Sequence, residues 1–458
     1  QPERFEDIVV GVALIRPGPI QGGSVHPYLR RRQGLEPVDY IHPSLAESLG
    51  ETLGVIVFQE QVLRVAMSLA GFTPAEADLL RRAMSRSRSQ QAMAALRERF
   101  LTGARANGLK EPVAEEIWQQ LEGFAGFGFC KSHAAAFALL AYQTLYLKAH
   151  YPSEYYCALL NHQPMGFYPP EVIASDARHH GIPVLRPDVN LSQQTCSLEQ
   201  ACSLERPCSL EQARSGEQVR SDASHLLSGA DRHQKAGLRL GLRYVQGLGE
   251  VWQERIVERR ASSPYRDLAD FCRRARLPRL LVENLIRSGA MDGLGRARRD
   301  LLWALGGLAY QEEGLEIEVP VVPASLPALD PAERMAWEYE ILGLAPGDHV
   351  MSLYREALRE QRVLSSSELP SRRDGERVRV AGWAVVRQRP PTAKGHLFIT
   401  LEDEDGLVNL IVRPDVYERY RDVLRNTPLL WIEGRLQREG HALSVLVYRA
   451  AALGSPGP

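Results

Sequence analysis

The spacing of apolar residues changes period once along the chain, and that change restricts the fold more than any other feature. Before Arg377 the apolar positions recur at helical spacing; from Arg377 onward they alternate with polar ones. Val378 to Val386, His396 to Leu401, Leu407 to Val412, Leu429 to Leu436 and Ala442 to Tyr448 read as five short strands. Asp405-Gly406 and Glu439-Gly440 sit in hairpin turns. Five strands with a helix at about Asp415 to Leu424 predict an OB-fold barrel, a common platform for single-stranded nucleic acid. At 458 residues the chain is too long for one core, so about three domains are expected. The expected architecture is multidomain. A mostly α-helical domain covers residues 1–190, and a low-complexity insertion, expected to be disordered, covers 191–235. A helix-hairpin-helix domain covers 236–317, a linker with a short helical segment 318–374, and the OB-fold 375–458.

Within the helical part, Gly123-Phe-Ala-Gly-Phe-Gly-Phe-Cys-Lys-Ser-His-Ala-Ala-Ala-Phe137 is a glycine-aromatic loop feeding a helix that continues to about Tyr151. Ser132 is the expected N-cap, since its hydroxyl can accept from a first-turn amide. Gly126 and Gly128 would let the backbone lie close to a ligand. Lys131 and His133 stand at the helix start, where unpaired amides and the helix dipole favour an anion. Phosphate binding is the functional reading; the plain alternative is a tight loop whose phenylalanines pack in a core.

Upstream, Thr73-Pro74-Ala75-Glu76 is a capping box with proline at the first helical position. The helix it starts carries Arg81 and Arg82, then Arg86 and Arg88, with no acid between 81 and 88. Solvated helix faces usually mix signs, so this run points to a polyanion partner. Basic residues also cluster at Arg30, Arg31 and Arg32. Residues 91–122 read as two further amphipathic helices.

Tyr244-Val-Gln-Gly-Leu-Gly249 precedes a helix from Glu250 to Arg260. Gly247 and Gly249 would let backbone amides approach a DNA phosphate beside a helix N-terminus, as in a helix-hairpin-helix unit. Leu281 to Ile286, followed by Arg287-Ser-Gly-Ala290, reads as a second, degenerate copy. Arg273 and Arg274, with Arg276 and Arg279, add positive charge between the copies. A plain helical hairpin is the alternative for either copy.

Six cysteines in a chain of this size make no disulfide framework, which fits a reducing cytoplasm. Three of them repeat with period six, at Cys196-Ser-Leu-Glu, Cys202-Ser-Leu-Glu and Cys208-Ser-Leu-Glu. That period matches no zinc spacing, so a repeat expansion in a loop is expected. No apolar run approaches the length of a membrane span, and no signal peptide is expected. The net charge of −1 averages over local clusters and says little about partners. Starting at Gln1, in what reads as the middle of an element, the chain is expected to be a piece of a longer protein.

These motifs together resemble the bacterial C-family DNA polymerases, the DnaE-type alpha subunits. Phe5-Glu-Asp-Ile8 with Ala13-Leu-Ile-Arg-Pro-Gly-Pro19 is similar to the start of that family's fingers domain. Phe58-Gln-Glu-Gln61, Ala77-Asp-Leu-Leu-Arg-Arg-Ala-Met84, Gly126-Phe-Gly-Phe-Cys-Lys-Ser-His133 and Ala141-Tyr-Gln-Thr-Leu-Tyr-Leu-Lys-Ala-His-Tyr-Pro152 are similar to fingers motifs. Val25-His-Pro-Tyr-Leu-Arg-Arg-Arg32 and His42-Pro-Ser-Leu45 look most like the error-prone, damage-inducible branch. The resemblance covers the chain apart from 192–235 and makes residues 1–190 a fingers domain.

The resemblance implies translesion synthesis by two-metal nucleotidyl transfer, with Mg2+ held by palm aspartates that lie N-terminal to residue 1. No metal is expected in this chain, whose only Asp-x-Asp, Asp403-Glu-Asp405, reads as a solvated turn. The chain alone is expected not to polymerise. Lys131 and His133 would face deoxynucleoside triphosphate, Arg81 and Arg82 the triphosphate or else the template phosphate, and Gly247, Gly249, Arg273 and Arg274 would face primer-template DNA. Gln311-Glu-Glu-Gly-Leu-Glu-Ile317 is acidic with its apolar residues out of step for a clamp-binding peptide, so an accessory protein is expected to recruit the chain to the sliding clamp. A DNA-repair binding module without polymerase parentage, built from helix-hairpin-helix and OB-fold parts, is the alternative.

Overall fold

The helical period runs through both compact units of the structure, and the alternating period closes a barrel within the second. The computed structural model describes residues 2–14, 25–85, 90–124, 129–166, 168–199, 236–308, 326–390, 393–440 and 442–454. They fall into two compact units, Gln1–Tyr146 and Leu147–Pro458. Arg16 to Pro19, Arg86, Arg88, Gly126, Gly128 and Gln311 to Ile317 lie outside the described residues.

The first unit holds α1 (Phe5–Leu14), α2 (Val25–Arg32), α3 (Leu45–Leu49), α4 (Gln59–Ala70), α5 (Pro74–Ser85), α6 (Gln90–Ala106) and α7 (Glu111–Phe124). Helix α8 (Lys131–His150) begins in this unit and continues past its end. Gly71 stops α4 in the left-handed region at φ 61°, which glycine adopts without a Cβ penalty. Two residues later the expected capping box starts α5. The Thr73 amide donates to Glu76 at 2.7 Å, and the Glu76 amide donates to the Thr73 hydroxyl at 3.2 Å. Helices α4 to α7 bury Leu69, Leu80, Phe100, Ile117 and Trp118 in one core. A smaller core joins Val9, Val10 and Leu14 of α1 to Phe58, Ala134 and Ala138. The basic patch on α2 is partly offset internally, three guanidiniums facing two carboxylates. Arg32 pairs with Asp7, Arg30 and Arg31 face Glu36, and Arg31 also donates to the Leu53 carbonyl at 2.7 Å.

Helix α8 carries no Asp, Glu, Lys or Arg between Lys131 and Lys148. Apolar all round, it would ordinarily be buried. Only Ala134 and Ala138 are, while Phe137, Leu140, Tyr142 and Leu145 are all at least half exposed.

The second unit opens with α9 (Pro152–Asn161), α10 (Pro170–His179), β1 (Val184–Leu185), β2 (Ser197–Glu199) and β3 (Gly237–Arg239). The strands form a sheet in the order β1-β3-β2. This corrects the expectation of disorder from residue 191. The first Cys-Ser-Leu-Glu copy pairs Leu198 with Leu238, and Glu199 bonds Arg239. Buried Cys196 is fixed by Asn161, whose side-chain oxygen accepts from the Cys196 amide at 2.7 Å. Copies two and three lie outside the described residues.

Helices α11 (Glu250–Arg260), α12 (Leu268–Ala275), α13 (Arg279–Arg287), α14 (Arg298–Gly307) and α15 (Pro331–Leu342) follow, then α16 (Arg355–Glu360). Helix α15 is the short helical segment expected within 318–374, and it is part of the fold rather than a spacer: its Ile341 and Leu342 belong to the same core as Leu281, Leu285 and Leu301. Buried Glu338 of α15 accepts from Arg298 at 2.8 Å and Arg186 at 2.6 Å. The helix was expected from the sequence; the buried ion pairs that anchor it were not.

The barrel is closed by β4 (Arg377–Gln388), β5 (Leu397–Glu402), β6 (Leu407–Val412), β7 (Leu429–Glu439) and β8 (Ala442–Ala452), in the order β4-β5-β6-β8-β7. The five expected strands are all present. The expected helix is two short ones, α17 (Pro414–Arg419) and α18 (Arg421–Asn426). Inward residues Val380, Ile399, Leu410, Ile432 and Val445 fill the barrel, and β6 pairs with β8 in parallel to shut it.

Asp403-Glu-Asp405 is not a solvated turn. Asp403 is buried and accepts from the amides of Ser366, Asp405 and Gly406 and from the Ser366 hydroxyl. Glu404 pairs with Arg355, and Asp405 accepts from the Ser367 hydroxyl. The cluster fastens the barrel to the segment before it.

Candidate nucleic-acid interface

Phe58-Gln-Glu-Gln61 at the start of α4 is the hub of the first unit's candidate site. The Gln61 side-chain oxygen accepts from the amides of Val57 at 2.9 Å and Phe58 at 3.0 Å. Its nitrogen donates to the Thr52 hydroxyl at 2.7 Å. Phe58 forms a parallel bridge with Phe129, and the Gln59 amide donates to the Phe129 carbonyl at 2.9 Å. Helix α8 then begins at Lys131, one residue before the expected cap Ser132 is passed, so Ser132 lies inside the first turn. An acid does the capping instead. The Glu60 carboxylate accepts from the Lys131 amide at 3.0 and 3.1 Å and from the Cys130 thiol at 3.3 Å.

The Lys131 ammonium lies 5.8 Å from the Phe58 ring centre and pairs with Glu51 at 2.5 Å. Exposed His133 stands between two rings, 5.3 Å from Phe129 and 4.6 Å from Phe137. These contacts bring Lys131 and His133 together beside α4.

Arg81 and Arg82 stand near the end of α5. Arg81 donates to Asp78 at 2.8 and 2.9 Å, and Arg82 pairs with the other Asp78 oxygen at 2.7 Å. Hydrogen bonds from Arg81 and the charge of Arg82 hold the Asp78 carboxyl below the usual carboxylate range. Arg81 and Arg82 therefore share one carboxylate from a turn upstream. Asp78 was visible at helical spacing but lay outside the window of like charge. Glu51 pairs with a residue eighty positions away, and no local pattern marks it.

In the second unit, the Val245–Glu250 hairpin has its expected form. Val245 and Leu248 are buried, while Gly247 and Gly249 are exposed. Gly247 lies at φ 79°, where other residues are strained, and a Cβ there would stand 3.3 Å from Leu281. Gly249 is the N-cap of α11 at φ −65°, with nothing within 4 Å of a Cβ position. The second, degenerate copy points inward. Gly289 lies at φ 82°, and a Cβ would fall 2.2 Å from the buried Arg298 guanidinium.

Arg273 and Arg274 differ in the same way. Arg273 is exposed. Arg274 stacks 4.6 Å from the Tyr265 ring centre and donates to Asp270 at 3.1 Å and to the Ser263 carbonyl at 2.7 Å. The structure commits Arg274 to holding α12 in place, which leaves Arg273 as the member of the pair that faces outward.

The barrel adds residues that the sequence reading did not single out. On the outer surface of β5 and β6, Phe398 pairs with Ile411 and Thr400 with Asn409. Phe398 and Asn409 are exposed, as are the flanking cations Arg389, Lys394 and Arg413. An exposed aromatic with a basic rim suits base stacking and backbone tracking. The pattern of alternation alone does not separate the lining of a barrel from its binding face.

Three family models match the chain. A bacterial DNA polymerase III alpha subunit finger domain matches residues 1–108, a helix-hairpin-helix motif 181–301, and an OB-fold nucleic acid binding domain 378–450. Error-prone DNA polymerase of Anaeromyxobacter sp. (strain K) is 43% identical over 457 residues, covering 99% of this chain and 38% of that protein. The Corynebacterium glutamicum protein of the same name is 41% identical, over 99% of this chain and 40% of its own length. That of Mycobacterium tuberculosis (strain CDC 1551 / Oshkosh) is 41% identical, over 99% and 39%. The chain belongs to the DnaE-type bacterial DNA polymerases. It is similar to their error-prone branch and spans about 40% of the length of these curated relatives. The finger-domain match argues against the repair-module alternative. Among the described residues of this DnaE-type chain, no helix is long and apolar enough to cross a membrane.

Proposed function

We propose that the chain supplies the nucleotide- and DNA-holding portion of an error-prone, DNA-directed DNA polymerase acting in damage tolerance and translesion synthesis. One observation carries this reading: finger, helix-hairpin-helix and OB-fold matches follow one another in a chain that aligns over 99% of its length with relatives named error-prone DNA polymerase. Lys131 and His133, with Arg81 and Arg82, would hold the phosphates of an incoming deoxynucleoside triphosphate. Gly247, Gly249 and Arg273 would meet the duplex backbone, and the Phe398 face would take a single strand.

Mg2+ would align the primer hydroxyl and the triphosphate in the intact enzyme. Among the described residues, the one Asp-x-Asp does not fit that ion. The oxygens of Asp403 are engaged by main-chain and hydroxyl donors, and no group of three or more His, Cys, Asp or Glu among the described residues could hold a metal. By the family resemblance the metals would sit on aspartates elsewhere in the polymerase, whose body would also cover the apolar faces of α8. Recruitment to the sliding clamp by an accessory protein, and action in the cytoplasm, complete the reading.

Primer extension and DNA titration of the purified chain test it. We expect primer-template binding without nucleotide incorporation; metal-dependent extension by this chain alone would overturn the division of labour.

A further inference from the structure

We propose that Glu51 is an internal stand-in for the triphosphate: its carboxylate holds Lys131 in place and is exchanged for phosphate when nucleotide enters. The inference rests on the assignment of Lys131 to the nucleotide site and adds a second residue to it. Two carboxylates meet this helix start, and they engage different parts of residue 131. Glu60 takes the main-chain amide, a bond that survives whatever the side chain does. Glu51 takes only the ammonium, at 2.5 Å. Both members of this outer pair are accessible, Lys131 at 40% and Glu51 at 32% side-chain exposure. Exposed pairs of this kind contribute little and exchange readily. A triphosphate carries several negative charges and outcompetes one carboxylate for the same ammonium.

The pair is placed by the fold. Glu51 lies in the turn Gly50–Thr52. Buried Thr52 beside it donates to the Val55 carbonyl at 2.6 Å and accepts from Gln61 at 2.7 Å. The Leu53 carbonyl accepts from Arg31 at 2.7 Å. The segment that anchors Phe129 and Lys131 thus also anchors the turn bearing Glu51. A carboxylate held there keeps Lys131 extended across Phe58 in the absence of ligand and competes with phosphate for it. Removing that charge should tighten phosphate binding, an outcome that loss of a merely structural contact does not produce.

The test is calorimetric titration of the full chain with tripolyphosphate at low salt, with thermal melting as a folding control. Lys131→Ala should weaken binding. Glu51→Gln should tighten it about two- to fivefold. In the Lys131→Ala background the Glu51 substitution should have no effect, because the coupling runs through that ammonium. If Lys131→Ala weakens binding but Glu51→Gln leaves it unchanged or weakens it, the exchange is wrong and the nucleotide site stands. If the wild type does not bind, or Lys131→Ala binds as well as wild type, the site assignment fails and the exchange with it. Should Glu51→Gln not fold, Glu51→Asp, one methylene too short to reach, is read by the same criteria.

Discussion

Gly249 and Gly289 each sit in a turn of a hairpin, and they differ in what a side chain would meet. At Gly289 a methyl group combines a strained φ of 82° with a clash against Arg298, whose guanidinium is buried between Asp292 and Glu338. Disturbing a buried pair leaves uncompensated charge, so Gly289→Ala should cost about 2–5 kcal/mol in denaturant unfolding. Gly249→Ala meets open space and should cost less than about 1 kcal/mol. The same contrast makes Gly249→Val a cleaner probe of duplex contact than Gly247→Val, since Gly247 is strained and touches Leu281. Lys131→Ala is clean for another reason: Glu60 bonds the main chain, so the charge can go without moving the start of α8. In the intact polymerase it should reduce the specificity constant for nucleotide by about 10- to 150-fold while sparing DNA affinity, as steady-state kinetics and a DNA titration would show.

Among the elements, β5 carries a titrating group into the seam between barrel and helices. Burial, helped by the Glu171 and Asp176 charges, pushes the Glu402 carboxyl up to about 7, with the Ser175 hydroxyl and Arg178 pulling the other way. A raised folded pKa means the protonated form is the one that packs. This contribution is fully present below pH 4.5, falls as pH rises towards 7, and is flat above. Through that window the wild type should lose about 1.4 kcal/mol per pH unit relative to Glu402→Gln, checked by paired unfolding curves. Strand β2 sets a second test. Removing residues 201–234 with a short Gly/Ser bridge should leave the melting temperature nearly unchanged, whereas removing 192–234 should lower it, because Leu198 pairs with Leu238 and buried Cys196 bonds Asn161. The barrel strands and α5 were legible because alternation and a capping box are local. Strand β2 and the packing of α15 were not. A three-residue strand has no period to display, and the Glu338–Arg298 pair that holds α15 joins residues forty positions apart.

For the molecule as a whole, the reading as a substrate-holding portion predicts DNA affinity that falls linearly in log–log salt, by a slope of about −0.9 for each phosphate neutralised. A filter-binding series between low and physiological salt would measure it, and a flat line would contradict the phosphate contacts. The order of the nucleic-acid modules could be read from motifs, since each is a short stretch with its own chemistry. Glu51, which holds Lys131, could not, because an ion pair closed across eighty residues leaves no spacing to recognise. Helix α8 has one more consequence. A surface that offers Phe137, Leu140, Tyr142 and Leu145 to solvent is what chaperones and proteases take as the mark of unfinished folding. Made by itself, the chain should be short-lived in a cell, its abundance governed by turnover more than by synthesis. Pulse-chase measurement should show a longer half-life for a Leu140→Glu, Leu145→Glu variant than for the wild type, with melting temperature unchanged.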